Sequence, residues 1–393
     1  MKSAIEVIGK SECTGCFGCV NACPISNAIE MKFDNEGFYK ANITNYCIHC
    51  GKCQKFCPII DYSSRNLLKK VYAAWSLDSE ILKKSSSGGI FSELSKFILS
   101  NNGMVYGAAW KDGRIVHIKI SKMEDIYQLQ GSKYLPSNIN LTYTEVMDDL
   151  KKGKKVLYSG LPCQIAALQK VVSSANLFTL DVICHGIPSQ KVFDKYLKEM
   201  NIENFKSVSF RDKEKGWSKF GMKYYSKNGE KVLETCQEKD VFFRGFMKDI
   251  YLSIPCYKCK FKGDIQGNHR IGDITLADFW GIEKKLENND LGVSLVITNN
   301  LKGERLFYTI KKDIFYQEVL LKKALKWNKS FYQSPTINKN RKKFFQEIDH
   351  LSIFDLERKY YPTPSILNRY YYIFRNNIKK IIKVMLEWIG VEI

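Results

Sequence analysis

Apolar positions recur along the chain with two different periods, and the switches between them mark out its elements. The stretch AIEMKFDNEGFYKANI alternates around Asn35, Glu36 and Gly37, which predicts a hairpin. SSRNLLKK, from Ser63, is polar and reads as a linker. Beyond Val71, strand and helix patterns mix. In SSSGGIFSELSKFIL the residues Ile90, Phe91, Leu94, Phe97 and Ile98 share one helical face, with Gly103 as the stop. VYGAAWKDGRIVHIKI predicts two strands joined at Asp112–Gly113. KKVLYSG, LPCQIAALQKVV and LFTLDVI then predict strand, helix and strand, a βαβ unit. After Pro362 and Pro364, Ile366, Tyr370, Ile373, Phe374, Ile378, Ile381, Ile382, Met385 and Ile389 return at helical spacing, among Arg369, Arg375, Lys379, Lys380 and Lys383. Such a basic amphipathic helix suits an anionic membrane surface, a partner, or packing on its own domain.

Composition narrows the class. With 393 residues, 45% of them hydrophobic, the chain can bury a large core and is neither disordered nor fibrous. The opening MKSAIEVIGK carries an acid and no apolar run of signal-peptide length, and no uncharged apolar stretch reaches the roughly 18 residues of a membrane span. A cytoplasmic location is expected. Thirteen cysteines in such a chain argue against disulfides and for metal or cluster ligation. The net charge of +20 attracts an acidic protein, an anionic cofactor, a nucleic acid or an anionic membrane, without choosing among them.

The cysteines carry the sharpest signal. CTGCFGCVNACP, from Cys13 to Pro24, and CIHCGKCQKFCP, from Cys47 to Pro58, match at every cysteine and proline, 34 residues apart. Each is the CxxCxxCxxxCP run of dicluster ferredoxins, in which the fourth cysteine reaches across to the other cluster. The pattern assigns Cys13, Cys16, Cys19 and Cys57 to one 4Fe–4S cluster, and Cys47, Cys50, Cys53 and Cys23 to a second. Zinc is disfavoured, because zinc sites need no shared fourth ligand. The expected architecture is thus an α/β domain with a mixed sheet and helices, preceded by a small α+β dicluster ferredoxin-like domain. Boundaries are expected at 1–65, 66–345 and 346–393, the last being the basic C-terminal helical segment.

Further candidates lie in the larger domain. Ser85, Ser86, Ser87, Gly88 and Gly89 form a turn that feeds a helix N-terminus, as a phosphate cradle or as an ordinary cap. Ser132, Lys133 and Tyr134 make a loop with a cationic tip, either solvated or suited to a dinucleotide beside that cradle. Cys163 and Cys184 follow the two strands of the βαβ unit and so share the ligand-binding edge of a sheet. Cys256 and Cys259, in SIPCYKC, are a CxxC pair lacking two ligands. Together the four thiols form a metal site, with zinc open (His185 or His269 replacing a thiolate), or else buried structural cysteines. Cys236 is left over. The basic, aromatic-rich KKALKWNKSFYQSPTINKNRKKFF brings no nucleic-acid recognition motif with it.

The order of ferredoxin repeat, SSGGIFSEL, GSKYLPS, YSGLPCQIAAL, DVICHGIPS, FRDKEKGW, PCYKCKFKG and RIGDITLADFWG resembles the coenzyme F420 hydrogenase/dehydrogenase beta-subunit family, from about residue 10 to about 300. The resemblance implies an FAD-dependent electron-transfer domain. It implies a third 4Fe–4S cluster on Cys163, Cys184, Cys256 and Cys259, and FAD contacts at Ser86, Ser87, Gly88, Gly89, Ser132, Lys133 and Tyr134. Asp273 and Asp278 are expected to be structural or close to the flavin. His185 is a candidate proton relay or a supporting residue beside Cys184. The implied activity is oxidoreduction between a two-electron small molecule, coenzyme F420 or another, and one-electron clusters. Implied partners are a ferredoxin or another oxidoreductase subunit. A non-catalytic docking subunit and an iron-sulfur redox sensor are the alternatives.

Overall fold

The computed structural model describes residues 1–64, 66–282, 288 and 290–363. The amphipathic pattern of residues 366–389 lies outside the described residues. The N-terminal hairpin is present as β1 (Ile29–Phe33) paired antiparallel with β2 (Tyr39–Ile43). The remaining strands are β3 (Lys70–Ser76), β4 (Met104–Lys111), β5 (Arg114–Ile120), β6 (Ser137–Asn138), β7 (Val156–Gly160), β8 (Leu177–Val182), β9 (Phe205–Asp212), β10 (Gly221–Ser226), β11 (Lys231–Cys236), β12 (Ile274–Asp278), β13 (Ser294–Thr298) and β14 (Ile314–Glu318).

A nine-stranded sheet runs β14-β3-β13-β12-β8-β7-β4-β5-β6. Its centre, β12-β8-β7-β4, is parallel, and antiparallel pairs flank it on both sides. The sheet is therefore mixed, as the patterning predicts. Both faces are covered, which is why β13 reads as an unbroken buried run, SLVIT. Along β4 and β7 the faces separate residue by residue. Val105 and Leu157 join Leu94 and Ile98 of the helix Ile90–Ser100, whereas Tyr106 and Tyr158 join Tyr143 and Ile165 on the other side. The βαβ unit appears as expected, with β7 and β8 adjacent and parallel and the helix Pro162–Val171 between them. The β4–β5 turn uses Asp112 and Gly113, both at positive φ (49° and 74°), the conformation a tight hairpin demands.

A second, three-stranded sheet, β11-β10-β9, was not legible from the patterning. Its aromatic core joins Phe210 and Tyr224 to Phe193, Phe242 and Tyr251, and also to Phe344, Ile353, Leu356 and Tyr360. Residues beyond 345 thus share a core with the larger domain.

The N-terminal module is built into the rest. Cys16 and Phe17 belong to the same buried cluster as Tyr106 and Tyr158. The Asn21 side chain donates to Asn140 O (2.9 Å) and accepts from Tyr143 N (3.1 Å). The Tyr143 hydroxyl lies 2.9 Å from Cys16 O and 3.0 Å from Gln164 O. The polar stretch read as a linker is also tied down. Ser64 Oγ donates to Arg270 O, and Asn66 Nδ2 lies 3.0–3.1 Å from the carbonyls of Arg270, Ile271 and Gly272. The polar side chains of Ser64 and Asn66 thus serve backbone carbonyls of the larger domain.

Candidate cofactor and metal site

The two cysteine runs fold around one another. Cys13 and Cys57 both act electrostatically on Cys16 and Cys19. Cys23, Cys47, Cys50 and Cys53 line a separate small cavity. The fourth cysteine of each run therefore lies with the first three of the other. Burial pushes the Cys16 thiol up to about 12. A buried thiol becomes a thiolate there only where positive charge, such as cluster iron, compensates it. The backbone N–H of Ala4 points at Cys53 Sγ (3.1 Å), a donor of the kind that stabilises sulfur ligands.

The other four thiols come together from three places in the sequence. Cys163 opens the helix after β7, Cys184 follows β8, and Cys256 and Cys259 come from the turn Ile254–Lys258 and its end. All four line one cavity, with Arg270 and Lys262 in its wall. Burial raises the Cys163 thiol well above its ordinary value, and Cys16 of the N-terminal module is its strongest thiol neighbour. Burial also raises Cys184 to about 11, against the opposing charges of Lys262 and Arg270, and Cys256 to about 12. The Ile187 N–H reaches Cys256 Sγ at 3.4 Å. Lys262 Nζ donates to Cys184 O (2.6 Å) and Ser330 O (2.7 Å).

Among the described residues no three His, Cys, Asp or Glu side chains converge in a way that could hold one metal ion. His269 is not in the wall of this cavity: it is exposed, 3.6 Å from Asp264 and 3.2 Å from Ser64 O. Cys236 ends β11 opposite Gly221 and lines neither thiol cavity.

A cleft of about 910 Å³ opens at the carboxyl ends of β7, β8 and β12. This is the edge at which parallel sheets bind ligands. Ser86, Ser87, Gly89, Ser132, Lys133 and Tyr134 line it, and the two loops meet where Ser132 N–H donates to Ser86 Oγ (2.7 Å). Gly88 stands apart from the lining. A Cβ there would lie 2.4 Å from Ala74 O and 2.7 Å from Ser294 N, so this glycine lets the turn seat on β3 and β13. Lys133 does not project as a cationic tip. Its Nζ turns back onto Leu129 O, Gln130 O and Gly131 O (3.3, 2.8 and 3.0 Å). Burial draws it down to about 7, while these carbonyls favour the charged form.

The two aspartates separate. Asp273 accepts from Thr179 N and Oγ1 and from Asn300 Nδ2, bracing β8 against β12. Asp278 lines the cleft, accepting from Trp217 Nε1 (2.8 Å) and pairing with Arg211 (3.0 Å). His185 borders both the cleft and the thiol cavity, its Nε2 2.7 Å from Asp249 Oδ1 and its ring edge-on to Phe246. Sequence reasoning missed Asp249, Arg211 and His117. His117 is buried, with Nδ1 on Ser137 Oγ and Nε2 on Ser159 O, and burial holds it down at about 4. Arg211 lies within the stretch FRDKEKGW, but no local pattern gave any of the three a role, since their partners lie far away in the chain.

Cys184, His185, Gly186 and Ile187 line both cavities, so a single turn of chain separates the cleft from the four thiols.

Comparison with known proteins bears on the family. Residues 12–59 match the 4Fe–4S dicluster domain. An uncharacterized protein of Methanocaldococcus jannaschii is 30% identical over 210 residues, covering 44% of this chain and 56% of that protein. The chain thus matches little more than half the length of this curated relative. A chain of the F420-reducing [NiFe] hydrogenase complex of Methanosarcina barkeri aligns over 73% of this chain and 95% of its own, at 19% identity and a TM-score of 0.46. Among the described residues no helix is long and apolar enough to cross a membrane. Residues 71–142 match the N-terminal part, and residues 153–322 the C-terminal part, of the coenzyme F420 hydrogenase/dehydrogenase beta subunit, and the chain belongs to that family, with a dicluster domain in front.

Proposed function

We propose that the chain is an iron-sulfur flavoprotein oxidoreductase, exchanging electrons between a two-electron small molecule in the large cleft and one-electron clusters on its cysteines. The observation that carries this reading is the wall Cys184–Ile187, shared by the cleft and the thiol cavity. On this reading Cys163, Cys184, Cys256 and Cys259 hold a third 4Fe–4S cluster beside the one on Cys13, Cys16, Cys19 and Cys57. FAD, when bound in the cleft, supplies both hydride chemistry and single-electron exchange.

The chain's own residues have definable tasks. The turn Ser85–Gly89 presents the N-terminus of the helix Ile90–Ser100 to the cleft, favouring a phosphate there. The Ser132–Ser86 bond holds the second loop against that turn. Phe243 and Phe246 line the cleft and give it apolar wall for the ring system of a ligand. Asp249 holds a proton on His185 Nε2, which leaves Nδ1 to take or give the proton that accompanies a hydride. Lys262 and Arg270 place positive charge at the thiol cavity, countering a cluster that carries roughly −2 with its thiolates. Coenzyme F420 is one two-electron candidate, and a ferredoxin or another oxidoreductase subunit is the expected one-electron partner.

Anaerobic purification followed by iron, sulfide and flavin analysis tests the reading. About twelve irons and one FAD per chain are expected. About eight irons and no flavin would overturn it.

A further inference from the structure

Arg211 is the side chain that the proposed chemistry leaves unexplained. It stands in β9 with its side chain 4% exposed, and it lines the cleft. Its guanidinium is fixed on three sides. Nη1 pairs with Asp278 at 3.0 Å, and Asp278 is itself held by Trp217 Nε1. The cationic carbon lies 3.9 Å from the Phe220 ring centroid and 5.0 Å from that of Trp280. Trp280 in turn stacks on Trp217 at 4.7 Å, with 5° between the ring planes.

Among the described residues Nε and Nη2 are buried without a hydrogen bond of normal geometry, and the neighbouring polar side chain is Tyr134, itself in the cleft lining. A buried charged donor left unsatisfied is costly, and the fold has seated this one firmly rather than turning it toward water. The two idle groups are also a matched set. Nε–H and the adjacent Nη2–H form the side-on edge of a guanidinium, whose two parallel bonds fit the two oxygens of a carboxylate or phosphate. Lys133, Lys326 and Lys329 share the cleft with it, against Asp278 and Glu238.

We propose that Arg211 is the oxyanion-reading residue of the cleft, its Nε–Nη2 edge taking a carboxylate or phosphate group of the molecule bound there. The inference rests on the cleft being a ligand site, not on which cofactor fills it. A dinucleotide pyrophosphate and the acidic group of a small-molecule substrate are the two sources of that oxyanion.

The test uses the full chain purified anaerobically and freed of any bound flavin, titrated with inorganic phosphate while tryptophan fluorescence is followed, since Trp217 and Trp280 adjoin the guanidinium. Saturable binding is expected, weakened roughly tenfold or more in Arg211→Lys, which keeps the charge but loses the side-on edge. Equal affinity in both proteins, or no saturable binding to the wild type, overturns the proposal. Repeating the titration after loading with FAD separates the sources. Phosphate excluded by FAD identifies the edge with the pyrophosphate, whereas phosphate that still binds identifies it with the substrate. A wild-type crystal soaked in selenate removes any dependence on how the variant folds: selenium is expected against Nε and Nη2, and selenium elsewhere in the cleft with that edge unvisited overturns the assignment. Phosphate binding that depends on Arg211 in a chain that takes up no FAD would sink the flavin reading and leave this one standing.

Discussion

Replacing Asp181 by Leu should both destabilise the chain and disturb the third thiol site. Asp181 and Arg270 are 0% exposed and pair at 2.7 Å. The carboxylate also accepts from Thr275 Oγ1 (2.6 Å), Gly272 N (2.9 Å) and Ile271 N (3.2 Å). Its loss strands a buried guanidinium and three further donors. Removing one partner of a buried pair costs about 3–5 kcal/mol, and the orphaned neutral donors, not fully additive with it, keep the estimate at the upper end. Arg270 Nη2 also holds Val182 O (2.9 Å), at the strand end that leads to Cys184, and Arg270 lines the thiol cavity. Anaerobic urea unfolding should therefore show a loss of about 4 kcal/mol. Iron analysis should show about four irons released before the N-terminal module unfolds. The double variant Asp181→Leu/Arg270→Met should recover most of the stability, because no buried charge is then left alone. A loss below about 1 kcal/mol, or a double variant no better than the single, would refute the reasoning.

Other outcomes follow from single contacts. Because burial lowers His117 from 6.5 to about 4, the folded chain binds fewer protons than the unfolded chain between those values, so stability falls as pH drops from 6.5 to 4. The loss is about 3 kcal/mol, and melting curves across this window should be flatter for His117→Gln; parallel curves would contradict it. Gly88→Ala forces a Cβ against Ala74 O and Ser294 N and should cost about 1–3 kcal/mol in urea unfolding, whereas an unchanged midpoint would mean that the turn can shift freely. Tyr143→Phe removes the hydroxyl between Cys16 O and Gln164 O and should cost about 1 kcal/mol. It should also speed proteolytic release of the N-terminal module, and an unaltered cleavage rate would deny that this contact helps dock it.

What the sequence displayed was whatever chemistry and period concentrate locally. The eight cysteines of the repeat need only a short run to declare themselves, and the hairpins at Asn35–Gly37 and Asp112–Gly113 need only alternation and a turn. Cys163 and Cys184 could be placed on one edge because a βαβ unit fixes where its strand ends lie. Cys256 and Cys259 reach the same cavity through tertiary packing, which no spacing encodes. The sheet β11-β10-β9 was missed because its aromatic residues pack against helices far away in the chain, up to Tyr360. Lys133 read as a cationic loop tip, solvated or suited to a dinucleotide, since only the folded loop shows the carbonyls that its ammonium turns back to meet. Arg211, Asp249 and His117 likewise owe their meaning to partners: Asp278, His185 and Ser137.

The layout proposed here stands on one cavity holding Cys163, Cys184, Cys256 and Cys259 between the cleft and the N-terminal module. Anomalous diffraction at the iron edge from anaerobically grown crystals interrogates that cavity directly. A 4Fe–4S-sized iron peak is expected there, in addition to two in the N-terminal module. A peak at the zinc edge instead, or no metal among these four sulfurs, would contradict it.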